Sequence, residues 1–301
     1  MTGHRIKQAR LAAGFTLEEV VKQMKKLGES ITRQGLSNYE NNKRGPGPAT
    51  LMKLARALRV KPAYFMVEPG VTIAWAAYRR HPDLPKREQE TTEAFAQTAC
   101  ERQMYLQTTL FPNEKPAFPP KTKVHTLDDA EASATKLRRH WALGTAAIES
   151  LAQTIENYGG MIVEYPTDGG TFDGLSGWVN ENFPLIIVNP RVPDDRIRFN
   201  LAHELGHLVM DCDSASENEE DLAYRFAEAL LVPATVAIKE LGEKRRALMF
   251  EELGVLKRKY GFSMQGWLYR AWHLGIIRES YFKTMRAEFN KKSWKRAEPV
   301  Q

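Results

Sequence analysis

The sequence predicts a mainly α protein in two parts: an all-α head, then an α+β body with a small β-sheet and a C-terminal helical region. Three observations predict it. Over the first 66 residues apolar side chains recur at helical spacing between breaks at Gly14, Gly28 and Gly45-Pro46-Gly47-Pro48. Strand-like apolar runs are few and short, Met161–Tyr165 and Leu185–Val188, and long helical patterns surround them. Charge changes sign along the chain: residues 1–66 carry thirteen Lys and Arg against four acids, residues 67–238 fifteen against twenty-six, and residues 239–301 fifteen against seven. A basic head is the electrostatic footprint of a phosphate-binding surface, and it is set apart from an acidic middle.

A chain of 301 residues can hold two or three domains and bury a proper core. The boundaries fall at 1–68, 69–124, 125–240 and 241–301. Two cysteines, Cys100 and Cys212, make no disulfide framework, and the polar start Met1-Thr2-Gly3-His4-Arg5 is not a signal peptide. No apolar stretch approaches bilayer length, so no membrane partner and a cytoplasmic location are expected.

In the head, Arg5–Arg10, Gly14–Val20 and Ile31–Glu40 read as three short helices, and Leu51, Leu54, Ala55, Leu58 and Val60 as a fourth. Pro69-Gly70 and the proline-rich stretch Pro112–Pro120 read as connectors around a helical piece from Pro85 to Leu110, a spacer or a dimer contact. From Thr126 through Glu131, Leu137 and Trp141 the pattern is helical again. Glycines in Asp173–Trp178 and the pair Phe183-Pro184 mark turns before the buried strand Leu185–Val188. A strand there could cradle an extended peptide by strand addition or could only complete the core. Asp194, after Pro193, is a plausible N-cap for a helix in which Ile197, Leu201, Leu205 and Leu208 form the buried stripe.

That helix carries His203-Glu204-Leu205-Gly206-His207. Two imidazoles four residues apart project from one helical face and can reach a single zinc ion, while Glu204 between them can act on a metal-bound water. The pattern points to amide hydrolysis with Glu204 as general base and then acid. Histidines merely decorating a core helix would be costly there without a metal or other partners. A catalytic zinc needs a third protein ligand. The run Ser216-Glu217-Asn218-Glu219-Glu220-Asp221 supplies five acids or amides, most of which suit a helix N-terminus. Glu220 is the choice, because Ala223, Phe226 and Ala227 share its face; Glu219, Asp221 and Cys212 stay open by spacing.

The run Arg196–His207 resembles the motif helix of the ImmA/IrrE family of zinc metallopeptidases, and Glu220–Ala227 through Leu231-Val232-Pro233 is similar to that family's second signature. The resemblance implies an α+β zincin-like metallopeptidase domain, His203, His207 and Glu220 as metal ligands, Glu204 as catalytic residue, and zinc as cofactor. It also implies a repressor as protein substrate, in a stress-response or mobile-element setting. Tyr224 departs from it, standing where the family carries Asn or Asp. The segment Leu256–Ile277 resembles the family's C-terminal helical region, with Tyr269 and His273 as candidates for oxyanion stabilisation.

The head resembles the Xre-type, lambda-repressor-like helix-turn-helix family over roughly Gly3 to Met66. The resemblance implies double-stranded DNA as partner. Thr32 would cap the recognition helix, and Arg33, Gln34, Ser37 and Asn38 are placed to meet base edges or phosphates. Proteins of this kind commonly bind as dimers, so a homodimer is among the expected arrangements. The basic tail, Lys291, Lys292, Lys295 and Arg296 around Trp294, reads as a nucleic-acid contact or, first, as a solvated end.

Three functions compete. The first is a DNA-binding transcriptional regulator carrying a zinc endopeptidase that cuts a repressor or other regulatory protein. The second is a transcription factor whose peptidase-like domain is a non-catalytic sensor or dimerisation module. The third is a metallopeptidase whose head recruits proteins. The intact His203, Glu204 and His207 favour the first over the second, and the basic helix bearing Arg33 favours it over the third.

Overall fold

A computed structural model describes residues 2–76, 86–167, 172–212, 218–294 and 298–299. Met1, Pro85, Ser216, Glu217, Lys295 and Arg296, named above, lie outside the described residues. The protein is mainly α, as the sequence predicts, with small sheets. Two compact units divide it: Met1–Ala74 with Arg79–Lys115 and Trp178–Phe183, and Trp75–Tyr78 with Pro116–Gly177 and Pro184–Gln301. No helix among the described residues is long and apolar enough to cross a membrane.

The first unit begins with α1 (Thr2–Ala12), α2 (Leu17–Lys26), α3 (Arg33–Glu40) and α4 (Pro48–Ala57), followed by a 3-10 turn at Pro62–Met66. Thr16 and Glu19 form a reciprocal capping box that starts α2. Ile6, Val20, Met24, Leu36, Leu54 and Phe65 are wholly buried together and form the core. The fourth helix stops earlier than its apolar pattern, because Arg59 turns left-handed (φ 57°) and the Val60 N–H returns to the Ala55 carbonyl. Inside this core Arg10 grips Glu40 with two hydrogen bonds, of 2.6 and 2.9 Å, tying α1 to the end of α3. The long helix α5 (Lys86–Leu110) packs on α1. There Arg5 donates to Glu101 at 2.7 Å and Gln8 to Thr98 at 3.3 Å.

The strands β1 (Ile73–Trp75), β4 (Gly174–Val179), β5 (Phe183–Val188) and β3 (Met161–Glu164) form one sheet in the order β1-β4-β5-β3. β3 and β5 run parallel, Met161 opposite Leu185 and Glu164 opposite Val188. One sequence expectation is corrected here, and one that stood open between two alternatives is decided. Gly174 and Gly177 lie within β4 and Phe183 and Pro184 within β5, and the reversal is made by Asn180 and Glu181, both with positive φ (48° and 64°). β5 is an internal strand with a neighbour on each side, so Leu185–Val188 offers no free edge to a peptide.

The second unit continues the chain through β2 (Thr122–Lys123), α6 (Leu127–His140), α7 (Leu151–Asn157), α8 (Asp194–Val209), β6 (Met210–Asp211), α9 (Glu219–Leu231), α10 (Ala234–Leu241), α11 (Phe250–Tyr260), α12 (Met264–His273) and α13 (Glu279–Lys291). β2 and β6 pair in parallel. α9 packs on both α6 and α8. The α8–α9 approach is close because of a glycine: a Cβ on Gly206 would stand 3.0 Å from the Phe226 ring. Buried Arg270 of α12 ties this cluster together, donating to the Val232 carbonyl and to Glu131 of α6. At the C-terminal end Glu298 accepts from the Met264 and Gln265 backbone N–H groups at the start of α12. It also pairs with Lys257, which at 3.0 Å pairs with Asp195 in the first turn of α8. Trp294 packs edge-on against Phe250 and Phe289, so this aromatic of the basic tail is a packing residue.

Candidate metal centre

The motif helix α8 starts after Pro193, which occupies the cap position; Asp194 is its first residue and makes no cap hydrogen bond, which corrects the assignment of Asp194 as N-cap. Leu201, Leu205 and Leu208 are buried along it, which fixes its rotation and turns His203, Glu204 and His207 into the interior as well. Their residual exposures are only 8, 3 and 4%. α9 starts at Glu219 because the Asn218 side chain accepts the Glu220 N–H, and its buried stripe, Leu222, Ala223, Phe226 and Ala227, seats that first turn against α8.

Three potential ligand atoms converge. The Nε2 atoms of His203 and His207 are 3.2 Å apart, and the Glu220 carboxylate lies 3.2 Å from the first and 3.5 Å from the second. Among the described residues this trio is the group of His, Cys, Asp and Glu atoms that could hold one ion. The spacing fits a metal. A tetrahedral zinc with bonds of about 2.0–2.1 Å sets neighbouring ligand atoms about 3.4 Å apart. The donor set, two imidazole nitrogens and a carboxylate, is also that of a zinc with an open fourth position.

Glu219, Asp221 and Cys212, left open by spacing, are not in the trio. Asp221 is exposed on the solvent side of α9. Glu219 does something different: its Oε1 sits 3.1 Å from His207 Nδ1, on the far side of the ring from Glu220. That is the arrangement in which a carboxylate orients a metal-binding imidazole. Burial alone pulls the His207 pKa down, but the Glu219 hydrogen bond and the charges of Glu204, Glu220 and Glu219 outweigh it and leave it above the ordinary value. The pocket around this ring therefore favours positive charge. His203 is braced differently. Its Nδ1 is buried with no hydrogen-bond partner among the described residues, and the Tyr224 ring leans on it at 4.6 Å between centroids.

Glu204 has its own support. Its Oε2 accepts a 2.7 Å hydrogen bond from Ser176 Oγ, and both groups are buried. Gly174, two residues earlier on the same face of β4, lies against the same carboxylate, where a Cβ would come within 2.9 Å of Glu204 Cγ. Asp173 completes the edge, paired with Arg196 at 2.7 Å and accepting from Asn200 through its carbonyl. Ser176, Gly174 and the orienting position of Glu219 are not among the site residues the sequence predicts. The signal for the first two was the Gly-x-Ser alternation, which puts a small residue and a hydroxyl on one face of a strand. The oxyanion candidates are engaged elsewhere: Tyr269 packs on Phe282, and His273 Nδ1 pairs with buried Glu228 at 2.8 Å.

In the head, Thr32 caps α3, its Oγ1 accepting from the Gly35 N–H at 3.0 Å. Thr32, Arg33 and Gln34 are exposed, and Ser37 and Asn38 half-buried, on the first two turns of that helix. Arg33 meets Glu18 at 2.7 Å, and Gln34 donates to Asn38 at 3.0 Å.

Fold and site together have the architecture of a helix-turn-helix head and a metallopeptidase-like body. Residues 6–65 match the helix-turn-helix family model, and residues 155–271 match that of the M78 peptidases, the IrrE N-terminal-like domain. Both domains predicted from resemblance are present. A particular relative is the HTH-type transcriptional regulator ImmR of Bacillus subtilis (strain 168), 36% identical over 70 residues, covering 23% of this chain and 51% of that protein. The match thus spans about half the length of the relative.

Proposed function

We propose that the protein is a cytoplasmic DNA-binding transcriptional regulator carrying a zinc-dependent endopeptidase, and that it cleaves a repressor or another regulatory protein. The observation that carries the enzymatic half is the convergence of His203, His207 and Glu220 within zinc-binding distance, with Glu204 beside them on α8. In this reading those three side chains hold zinc, which supplies a lowered water pKa and a polarised substrate carbonyl. Glu204 takes the proton of the attacking water and delivers it to the amide nitrogen as the C–N bond breaks. Ser176 holds the carboxylate in place through Oε2. Glu219 keeps the His207 proton on Nδ1, which leaves Nε2 free to bind the ion.

The regulatory half rests on the family match of the head, on its relative and on its basic charge. Thr32, Arg33, Gln34, Ser37 and Asn38 face double-stranded DNA in this reading, with the protein acting as a homodimer on paired half-sites.

The near-complete burial of His203, Glu204 and His207 favours a second reading, a metal-holding sensor or dimerisation module without turnover. One comparison separates the two. Zinc content and cleavage of co-expressed repressors are measured for wild type and Glu204→Gln. Endopeptidase function requires the variant to keep zinc and lose cleavage; a wild type that holds zinc and cuts nothing under inducing conditions selects the sensor.

A further inference from the structure

The two imidazoles of the proposed metal site are braced unequally. An imidazole that binds an ion through Nε2 carries its proton on Nδ1, and that N–H is a donor seeking an acceptor. His207 has one in Glu219, at 3.1 Å. His203 Nδ1 is buried and has none among the described residues. Besides the His207 ring, edge-on at 4.9 Å, its ring meets Tyr224, one turn beyond Glu220 on α9, at 4.6 Å and tilted by 53°. Phe199 stacks on Tyr224, 5.9 Å away at 19°. A phenol ring offers an imidazole N–H at most a weak π contact, far short of a carboxylate or amide oxygen.

We propose that Tyr224 is the positioning residue of His203: it fixes the imidazole by packing alone, and so makes His203 the loosely held arm of the metal site. The inference rests on reading His203, His207 and Glu220 as ligands. Its consequence is a site whose ion is bound more weakly than the same three donors would bind it with both imidazoles hydrogen-bonded, so that occupancy follows the supply of free zinc. Tyr224 is half exposed, so exchange of its side chain leaves the core intact.

The test is zinc affinity of the full chain, measured by competition with a chromogenic chelator. Tyr224→Asp and Tyr224→Asn, which offer an oxygen beside His203, are expected to tighten binding 10- to 100-fold, the range typical of such outer partners. Tyr224→Phe, which keeps the ring, should stay within about twofold of wild type, and Glu219→Gln should weaken binding 10- to 100-fold. Wild-type zinc binding with no gain in either oxygen-bearing variant overturns this inference alone, as does a Phe variant that behaves like a loss. A wild type that binds no zinc overturns the ligand reading and this one with it. Imidazole nitrogen NMR reads wild type directly: with zinc bound, the His207 Nδ1 proton should exchange slowly with water and shift downfield as a hydrogen-bonded one does. The His203 Nδ1 proton should not shift so, and equal signatures for the two rings would count against the proposal.

Discussion

Ser176 Oγ and Glu204 Oε2 are 2.7 Å apart, a buried hydroxyl from strand β4 donating to the carboxylate between the two motif histidines. A hydrogen bond to a charged group contributes about 1.5–3 kcal/mol. Ser176→Ala is therefore expected to lower kcat/KM about 10- to 100-fold while zinc content stays at the wild-type level. Metal analysis beside cleavage kinetics checks this; loss of zinc in the variant would show that Ser176 supports the fold of the site and not the orientation of Glu204.

Gly174 gives a steric counterpart. A methyl there would lie 2.9 Å from Glu204 Cγ and 3.0 Å from Oε1, with no backbone strain involved. Gly174→Ala should cost about 1–3 kcal/mol of stability, as overpacking does, and remove most of the activity. Denaturant midpoints and turnover measured on one preparation would reveal both effects.

Arg10 and Glu40 form the ion pair inside the head, with side chains only 11 and 6% exposed. Removing one partner of a buried pair leaves an uncompensated charge and costs about 3–5 kcal/mol. Arg10→Ala is thus expected to unfold the head before the rest of the chain in urea, whereas Arg10→Met with Glu40→Leu should recover most of the loss. A double variant as unstable as the single would contradict this account.

Among the described residues Arg33 is bound by Glu18, a pair 70 and 55% exposed, and such surface pairs contribute about 0–1 kcal/mol. The guanidinium can leave Glu18 for DNA at little cost. Arg33→Ala should weaken operator binding by about 1–3 kcal/mol if it reads a base, or lower the salt dependence by about one unit if it meets a phosphate. Fluorescence anisotropy at several salt concentrations distinguishes them, and an unchanged affinity would remove Arg33 from the interface.

Much of this was legible in the chain. The Leu201, Leu205 and Leu208 stripe predicts the motif helix and its rotation, and the spacing of His203 and His207 predicts that their rings meet. What spacing could not divide was the adjacent pair Glu219 and Glu220, about 100° apart on a helix. Both reach a histidine, Glu220 the two Nε2 atoms and Glu219 the His207 Nδ1, and these separate roles come from the seating of α9 on α8, which local spacing does not encode. The Asn180-Glu181 turn was missed because it contains neither glycine nor proline, although asparagine accepts positive φ more readily than most residues. Ser176 is not legible locally because its partner lies 28 residues away, across a strand-to-helix contact that no local pattern encodes.

Glu298 has a practical bearing on how this protein should be handled. One carboxylate near the last residues caps α12 and, through Lys257 and Asp195, reaches the opening turn of the helix that bears the histidines. Replacing Glu298 would disturb the scaffold of the candidate centre itself, so a variant at this distant position would change any metal binding for reasons unrelated to the ligands.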